Sequence, residues 1–247
     1  MKVEIQIPSN LSEITLEQYQ KFAKLNTVEN EDTSFLMHKT VEIFCDLNLK
    51  DIAKIKYIYV QEILNDINKL FESKQDLTPT FTMKGVDYGF VPVLDDMTLG
   101  EYIDLDENFT DWDMMHKAMA VLYRPITLQK GDRYQIEEYD GLERADLMKQ
   151  MPLDVVMGCM FFFLQFKQRT TENYPELFES GNTEGTDYGA ATNFGKKWGW
   201  YQSLYGLSKG DVRRFEHITK LNFHECFMFL AFEKEKNQLE AKLIKNR

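Results

Sequence analysis

Apolar residues recur along this chain at two different rhythms, and the change between them divides it. VEIQI alternates and predicts a short strand closed by Pro8. From Thr15 the period lengthens: Leu16, Tyr19, Phe22, Ala23 and Leu25 follow a helical spacing, and Thr15 with Gln18 has the spacing of a capping box. The polar run NTVENEDTS predicts a loop. Helices are expected at about 34–47 and 51–73, the second carrying Ile55, Ile58, Val60, Ile63, Leu64, Ile67 and Leu70. TPTFTMKGVDYGFVPV then brings β-branched and aromatic residues around a Lys84-Gly85 turn, which predicts a hairpin near 79–93. Thr98 with Glu101 marks another helix start. Trp112, Met115, Met119 and Leu122 share one helical face as far as Pro125, and DRYQIEEYDGLE predicts a further strand or loop.

The most apolar run, LDVVMGCMFFFLQF, is shorter than the roughly 20 residues a bilayer requires, and it contains Asp154. It predicts a core helix rather than a membrane span. TENYPELFESGNTEGTDYGAATN predicts a loop or linker, and further helices begin near Ser208 and Asn222. No repeat with a period of 20–50 residues stands out. The expected fold is mainly α, a helical bundle with a small β-hairpin element. Composition suggests three parts: an N-terminal bundle over 1–76, a hairpin plus helical core over 77–179, and a loop with aromatic-rich C-terminal helices over 180–247.

Those last helices open on FGKKWGWYQSLYGL. On a helix, Phe194, Trp198, Tyr201 and Tyr205 share one narrow face, Trp200, Leu204 and Leu207 share a second, and Gly195, Gly199 and Gly206 fall together on the third side. A glycine stripe would let another backbone come close. The longer ring stripe suits the protein's own core. The shorter face makes Trp200, Leu204 and Leu207 the candidate partner-binding residues, because tryptophan and tyrosine dominate interface hot spots. Both faces filling the core is the plainer alternative.

Charge narrows the partners. The net charge is −11, which disfavours a nucleic-acid wrap or docking on an anionic membrane. Cys45, Cys159 and Cys226 are an odd, scattered set among apolar neighbours, so buried free thiols are expected rather than a disulfide framework. No phosphate-binding loop or nucleophile motif is recognisable. His217, His224 and Cys226 fit no common zinc spacing. Asp104, Asp106 and Asn108 begin like a calcium loop, but Phe109 stands at the required glycine and Met115 at the terminal glutamate. The sequence therefore suggests no cofactor, no metal and no enzymatic activity.

Two stretches carry a family resemblance. DDMTLGEYIDLDENFTDWDMMHKAMAVLYRPI resembles little-characterised proteins from the structural gene modules of tailed bacteriophages, crAss-like and related phages among them. WGWYQSLYGLSKGDVRRFEHITKLNFHECFMFLAFEKEK resembles the end regions of phage tail-assembly proteins, with paired aromatics before an apolar helix and a charged tail. The resemblance implies a non-enzymatic morphogenesis protein whose partners are other phage tail or neck proteins, ring-forming or multi-copy in the particle, made in the host cytoplasm and located in the tail or neck of the virion. It leaves open a structural or cargo component of the tail or head–tail junction, a tail assembly chaperone absent from the mature virion, or an intracellular enzyme or regulator.

Overall fold

The computed structural model describes residues 5–26, 33–178 and 197–245. The fold is mainly α with a small antiparallel sheet. Helices α1 (Leu16–Asn26), α2 (Thr33–Cys45), α3 (Leu49–Ile52) and α4 (Tyr57–Leu70) come first. Strands β1 (Thr80–Met83) and β2 (Val86–Phe90) follow, then α5 (Leu99–Asn108) and α6 (Met115–Leu122), then β3 (Tyr123–Lys130) and β4 (Arg133–Ile136). The rest is helical: α7 (Leu153–Asn173), α8 (Pro175–Phe178), α9 (Trp200–Ser208), α10 (Phe215–Thr219) and α11 (Phe223–Lys245).

Contacts group the chain differently from the three-way division by sequence. One compact unit comprises Met1–Pro92 and Glu107–Phe162; the other comprises Val93–Asp106 and Phe163–Arg247.

The first unit holds the bundle of α1, α2 and α4 and a sheet of order β1-β2-β3-β4. The predicted hairpin is present, turning at Lys84 and Gly85, which both have positive φ. The sheet is larger than the sequence suggested, because α6 stops at Leu122 and the chain continues directly as β3. Tyr123 is already extended, and Pro125 lies inside the strand rather than ending a helix. Pro125 stands opposite Tyr88 in a pair that exchanges no backbone hydrogen bonds, and on its other edge its carbonyl accepts from the Glu137 amide just beyond β4. Trp112 precedes α6 and is half-buried against Tyr19, not aligned with the buried Met115, Met119 and Leu122. The single helix expected over 51–73 is two, broken by a turn at 53–56.

The apolar run lies in α7. Leu153, Val156, Cys159, Phe163 and Phe166 are buried, while Phe161, Phe162 and Leu164 are exposed. No helix among the described residues is long and apolar enough to cross a membrane.

A short element recurs that the sequence reading did not register. Leu11-Ser12-Glu13-Ile14-Thr15-Leu16, Leu94-Asp95-Asp96-Met97-Thr98-Leu99, Met148-Lys149-Gln150-Met151-Pro152-Leu153 and Ile218-Thr219-Lys220-Leu221-Asn222-Phe223 each lead into a long helix. In every copy the fourth residue donates its amide to the first residue's carbonyl, at 3.2, 3.2, 3.0 and 3.1 Å respectively. The sixth residue is the first of the helix, and its amide has no partner within the helix. The copies solve this by pairing. In the first unit, the Leu16 amide donates to the Met151 carbonyl and the Leu153 amide to the Ile14 carbonyl, both at 2.9 Å. In the second, Leu99 donates to Leu221 at 2.8 Å and Phe223 to Met97 at 3.1 Å. Each pair is an antiparallel bridge, Thr15 opposite Pro152 and Thr98 opposite Asn222. Each unit is thus built on one helix-start joint, and the two side chains at the centre of each (Leu16 and Leu153; Leu99 and Phe223) are 0% exposed.

Candidate functional site

The aromatic segment of the second unit is the candidate site. α9 begins at Trp200 because Gly199, at φ +40°, breaks any helix that would run through it from Trp198. The helix closes on Lys209 in the left-handed conformation, with the Lys209 amide on the Gly206 carbonyl.

The sequence assigned the two ring faces the opposite way round. Trp200 points inward, stacked on Phe227 and edge-on to Tyr102. Its indole N–H donates to Asp106 Oδ2 at 3.1 Å, and Lys167 pairs with the other oxygen of that carboxylate at 2.6 Å. Leu204 and Leu207 are half-buried beside it. The three proposed partner-binding residues therefore pack within their own unit. The expected core stripe faces solvent instead: Trp198, Tyr201 and Tyr205 are exposed. Phe194 and Gly195 lie outside the described residues. The reversal follows from the break at Gly199, which rotates Trp198 out of register with α9. The apolar floor of the unit, formed by Phe223, Phe227 and Tyr102, then decides which side of α9 faces inward. The glycine stripe serves no close approach in α9, since a Cβ at Gly206 would meet only Leu230 Cδ2, at 3.8 Å.

The outward rings form a row. Tyr201 contacts Trp198 at 5.5 Å and Phe215 of α10 at 5.4 Å, and Tyr205 lies along Gly210. Cationic residues neighbour it in the chain. Lys197 sits over the Trp198 ring, Lys209 closes α9, and Arg213 and Arg214 follow on the turn Val212–Arg214. Asp211 binds both arginines, which lowers its carboxyl pKa, chiefly through the Arg213 hydrogen bond.

Trp200 also lines a groove of about 450 Å³ with Leu177, Phe178, Gln202, Leu230 and Lys234.

A second cluster in this unit was missed by the sequence reading. Tyr174 O–H meets His224 Nδ1 at 2.9 Å, and His224 Nε2 meets Asp95 Oδ1 at 2.9 Å. Arg169 donates to both oxygens of Asp95, at 3.1 and 2.9 Å. A neutral His224 ring satisfies the chain, donating from Nε2 and accepting at Nδ1. The His224 hydrogen bond, with Arg169 beside it, holds the Asp95 carboxyl below its ordinary range, while burial raises the Tyr174 phenol. The corresponding positions of the first unit's joint are Ser12 and Asp154, so the joint itself does not require this cluster. Asp95 and His224 lie far apart in sequence and no spacing rule links them. His217 and Cys226 take no part, and no group of three His, Cys, Asp or Glu fit to hold a metal occurs among the described residues. Burial pushes the thiols of Cys45 and Cys226 up to about 11, which makes them inert.

No family model, curated protein or solved structure matches the chain.

Proposed function

We propose that this is a non-enzymatic morphogenesis protein of a tailed phage, a structural component of the tail or head–tail junction that acts by binding other phage proteins. The phage assignment rests on the two resembling segments. The observation that carries the binding role is the exposed row of Tyr201 and Tyr205 beside Trp198, followed in the chain by Lys209, Arg213 and Arg214. Aromatic and arginine side chains are enriched at interface cores, where rigid rings bury large areas at little entropic cost. The tail and neck partner is thus proposed to dock on this face, not on Trp200, Leu204 and Leu207.

Mass spectrometry of purified particles tests the location. Abundant peptides from this chain support a virion component, and their absence together with abundance in infected-cell lysate supports the chaperone role instead. The double substitution Tyr201→Ser and Tyr205→Ser tests the face. It is expected to leave the melting temperature within a few degrees of wild type and to remove co-purification with tail or neck proteins. Unchanged co-purification would rule the face out.

A further inference from the structure

The helix-start element occurs a fifth time, without a partner. Ile52-Ala53-Lys54-Ile55-Lys56-Tyr57 leads into α4 with the same internal hydrogen bonds. The Ile55 amide donates to the Ile52 carbonyl at 2.9 Å, and the Val60 amide to the Lys56 carbonyl at 3.3 Å, as Tyr19, Tyr102, Val156 and Cys226 do in the other four copies. Lys56 is extended (φ −63°, ψ 138°), as a residue at the centre of such a bridge must be. Ile52 and Val60 are fully buried; the counterparts of Ile52 are buried in all four other copies, and those of Val60 in three, Tyr19 being half-buried.

What differs is the pairing side. In the four paired copies the first helical residue is 0% exposed, whereas Tyr57 is 56% exposed. Ile58 and Tyr59, the next two residues, are 59% and 52% exposed. The other copies carry Glu17-Gln18, Gly100-Glu101, Asp154-Val155 and His224-Glu225 there. The Tyr57 amide and the Ile55 carbonyl, the two groups through which every other copy joins its partner, make no hydrogen bond among the described residues. Three consecutive apolar side chains thus surround an open backbone donor and acceptor.

We infer that this copy is an interface with a second copy of the same chain, in which Tyr57 N–H donates to Ile55 C=O of the partner and the reverse bond closes the pair. The joint is antiparallel, so two identical segments meet about a two-fold axis through Lys56, the isologous arrangement that closes at two subunits. The internal joints show that this backbone geometry pairs with another segment of its own kind. Tyr57, Ile58 and Tyr59 supply the apolar cover.

The cap residue sets the character of the dimer. Thr15 and Pro152, and Thr98 and Asn222, are uncharged where they oppose one another. Self-pairing of the fifth copy places Lys56 against Lys56 of the second chain as a non-hydrogen-bonded pair, Cα atoms about 4.5 Å apart. Like charges at directly opposed positions are destabilising. The association is therefore concentration-dependent and tightens as salt rises, the reverse of docking driven by charge complementarity.

Sedimentation equilibrium of the full chain, over a range of concentration and NaCl, reads this directly. The expected result is a monomer–dimer equilibrium whose dissociation constant falls as NaCl is raised. Lys56→Thr, which installs the residue found in two of the paired copies, should tighten the dimer several-fold. Mixing Lys56→Glu with wild type should give more than the statistical share of heterodimer, because glutamate then faces lysine. Tyr57→Pro should abolish the dimer: proline is well tolerated at the first position of a helix but has no N–H to donate. Circular dichroism verifies that Tyr57→Pro keeps its helices. A monomer at every concentration and salt overturns the inference. So does a dimer that survives Tyr57→Pro, a statistical mixture with Lys56→Glu, or capture of a different protein by this patch while the chain stays monomeric.

Discussion

The Trp200 ring lies parallel to the Phe227 ring, with an interplanar angle of 6° and centroids 5.8 Å apart. With the indole N–H on Asp106, this fixes α9 against the floor of its unit. Trp200→Ala should therefore lower stability by about 3 kcal/mol, the low end for truncating a packed ring because Trp200 is half-buried. Tyr205, 59% exposed, should change stability by less than about 0.5 kcal/mol when replaced by alanine, as a surface site does. Denaturant melts of the two variants compare them. Equal losses would mean that Tyr205 also holds the fold.

The contrast between these two rings marks how far the sequence could be read. Periodicity placed helices at α1, α2 and α7 and the hairpin at β1 and β2, because each is a local pattern with its own start or turn signal. Within α9 it grouped Tyr201 with Tyr205, and Trp200 with Leu204 and Leu207, as the helix does. It could not say which face points inward, since that depends on Phe223, Phe227 and Tyr102, which approach from elsewhere in the chain. Gly199 was visible, but its positive φ was not. The recurring joint escaped for a similar reason. Its four copies are six residues long, unevenly spaced and alike mainly in backbone hydrogen bonding, with threonine, proline or asparagine at the cap. Asp95 reaches His224 because that joint brings their segments together, and Tyr174 arrives separately, from the end of α7.

The capping boxes are the part of the joint that sequence did give. Thr15 Oγ1 accepts from the Gln18 amide while Gln18 Oε1 accepts from the Thr15 amide, and Thr98 and Glu101 repeat this reciprocal pair. Thr15→Val and Thr98→Val should each lower stability by about 1 kcal/mol. Thr98→Val removes the Thr98 hydroxyl's hydrogen bond to Glu101, which is only 4% exposed where Gln18 is half-buried, so it should be the more damaging. Chemical denaturation gives both values, and a larger loss at Thr15 would contradict the ranking.

Two glycines predict opposite outcomes. A Cβ on Gly158 would lie 2.2 Å from the Asp76 carbonyl oxygen, so α7 and the segment before β1 meet there backbone to backbone. Gly158→Ala should destabilise by about 2–3 kcal/mol, as overpacking does. A Cβ on Gly206 would make only an ordinary contact with Leu230, and Gly206→Ala should stabilise by about 1 kcal/mol through helix propensity. Thermal melts decide both; a neutral Gly158→Ala would show that the two segments separate easily.

His116 gives the chain a pH dependence that can be assigned to one ring. It is 7% exposed, and the Gln20 side-chain nitrogen reaches its Nδ1 at 3.2 Å. That same nitrogen lies 2.7 Å from the Trp112 carbonyl and 3.3 Å from the Asp113 carbonyl, so it must be the donor and Nδ1 must accept. Nε2 then faces Asp146 at 3.7 Å. Protonating the ring would turn Nδ1–H against the Gln20 N–H. Burial pushes the His116 pKa below its ordinary 6.5, with Lys149 and Lys117 acting in the same sense and Asp146 and a hydrogen bond with the Asp113 backbone against it. The folded state thus takes up this proton at lower pH than the unfolded state does. Its contribution to stability is complete above about pH 6.5 and is lost as pH falls from there through the depressed folded value. Asp95, whose carboxyl is lowered, acts in a separate window, with stability lost only as pH falls below the ordinary aspartate range. The melting temperature of wild type should therefore decline between pH 7 and 5, and His116→Gln, which cannot be protonated, should decline less over that interval. Parallel curves for the two proteins would assign the pH dependence to other groups.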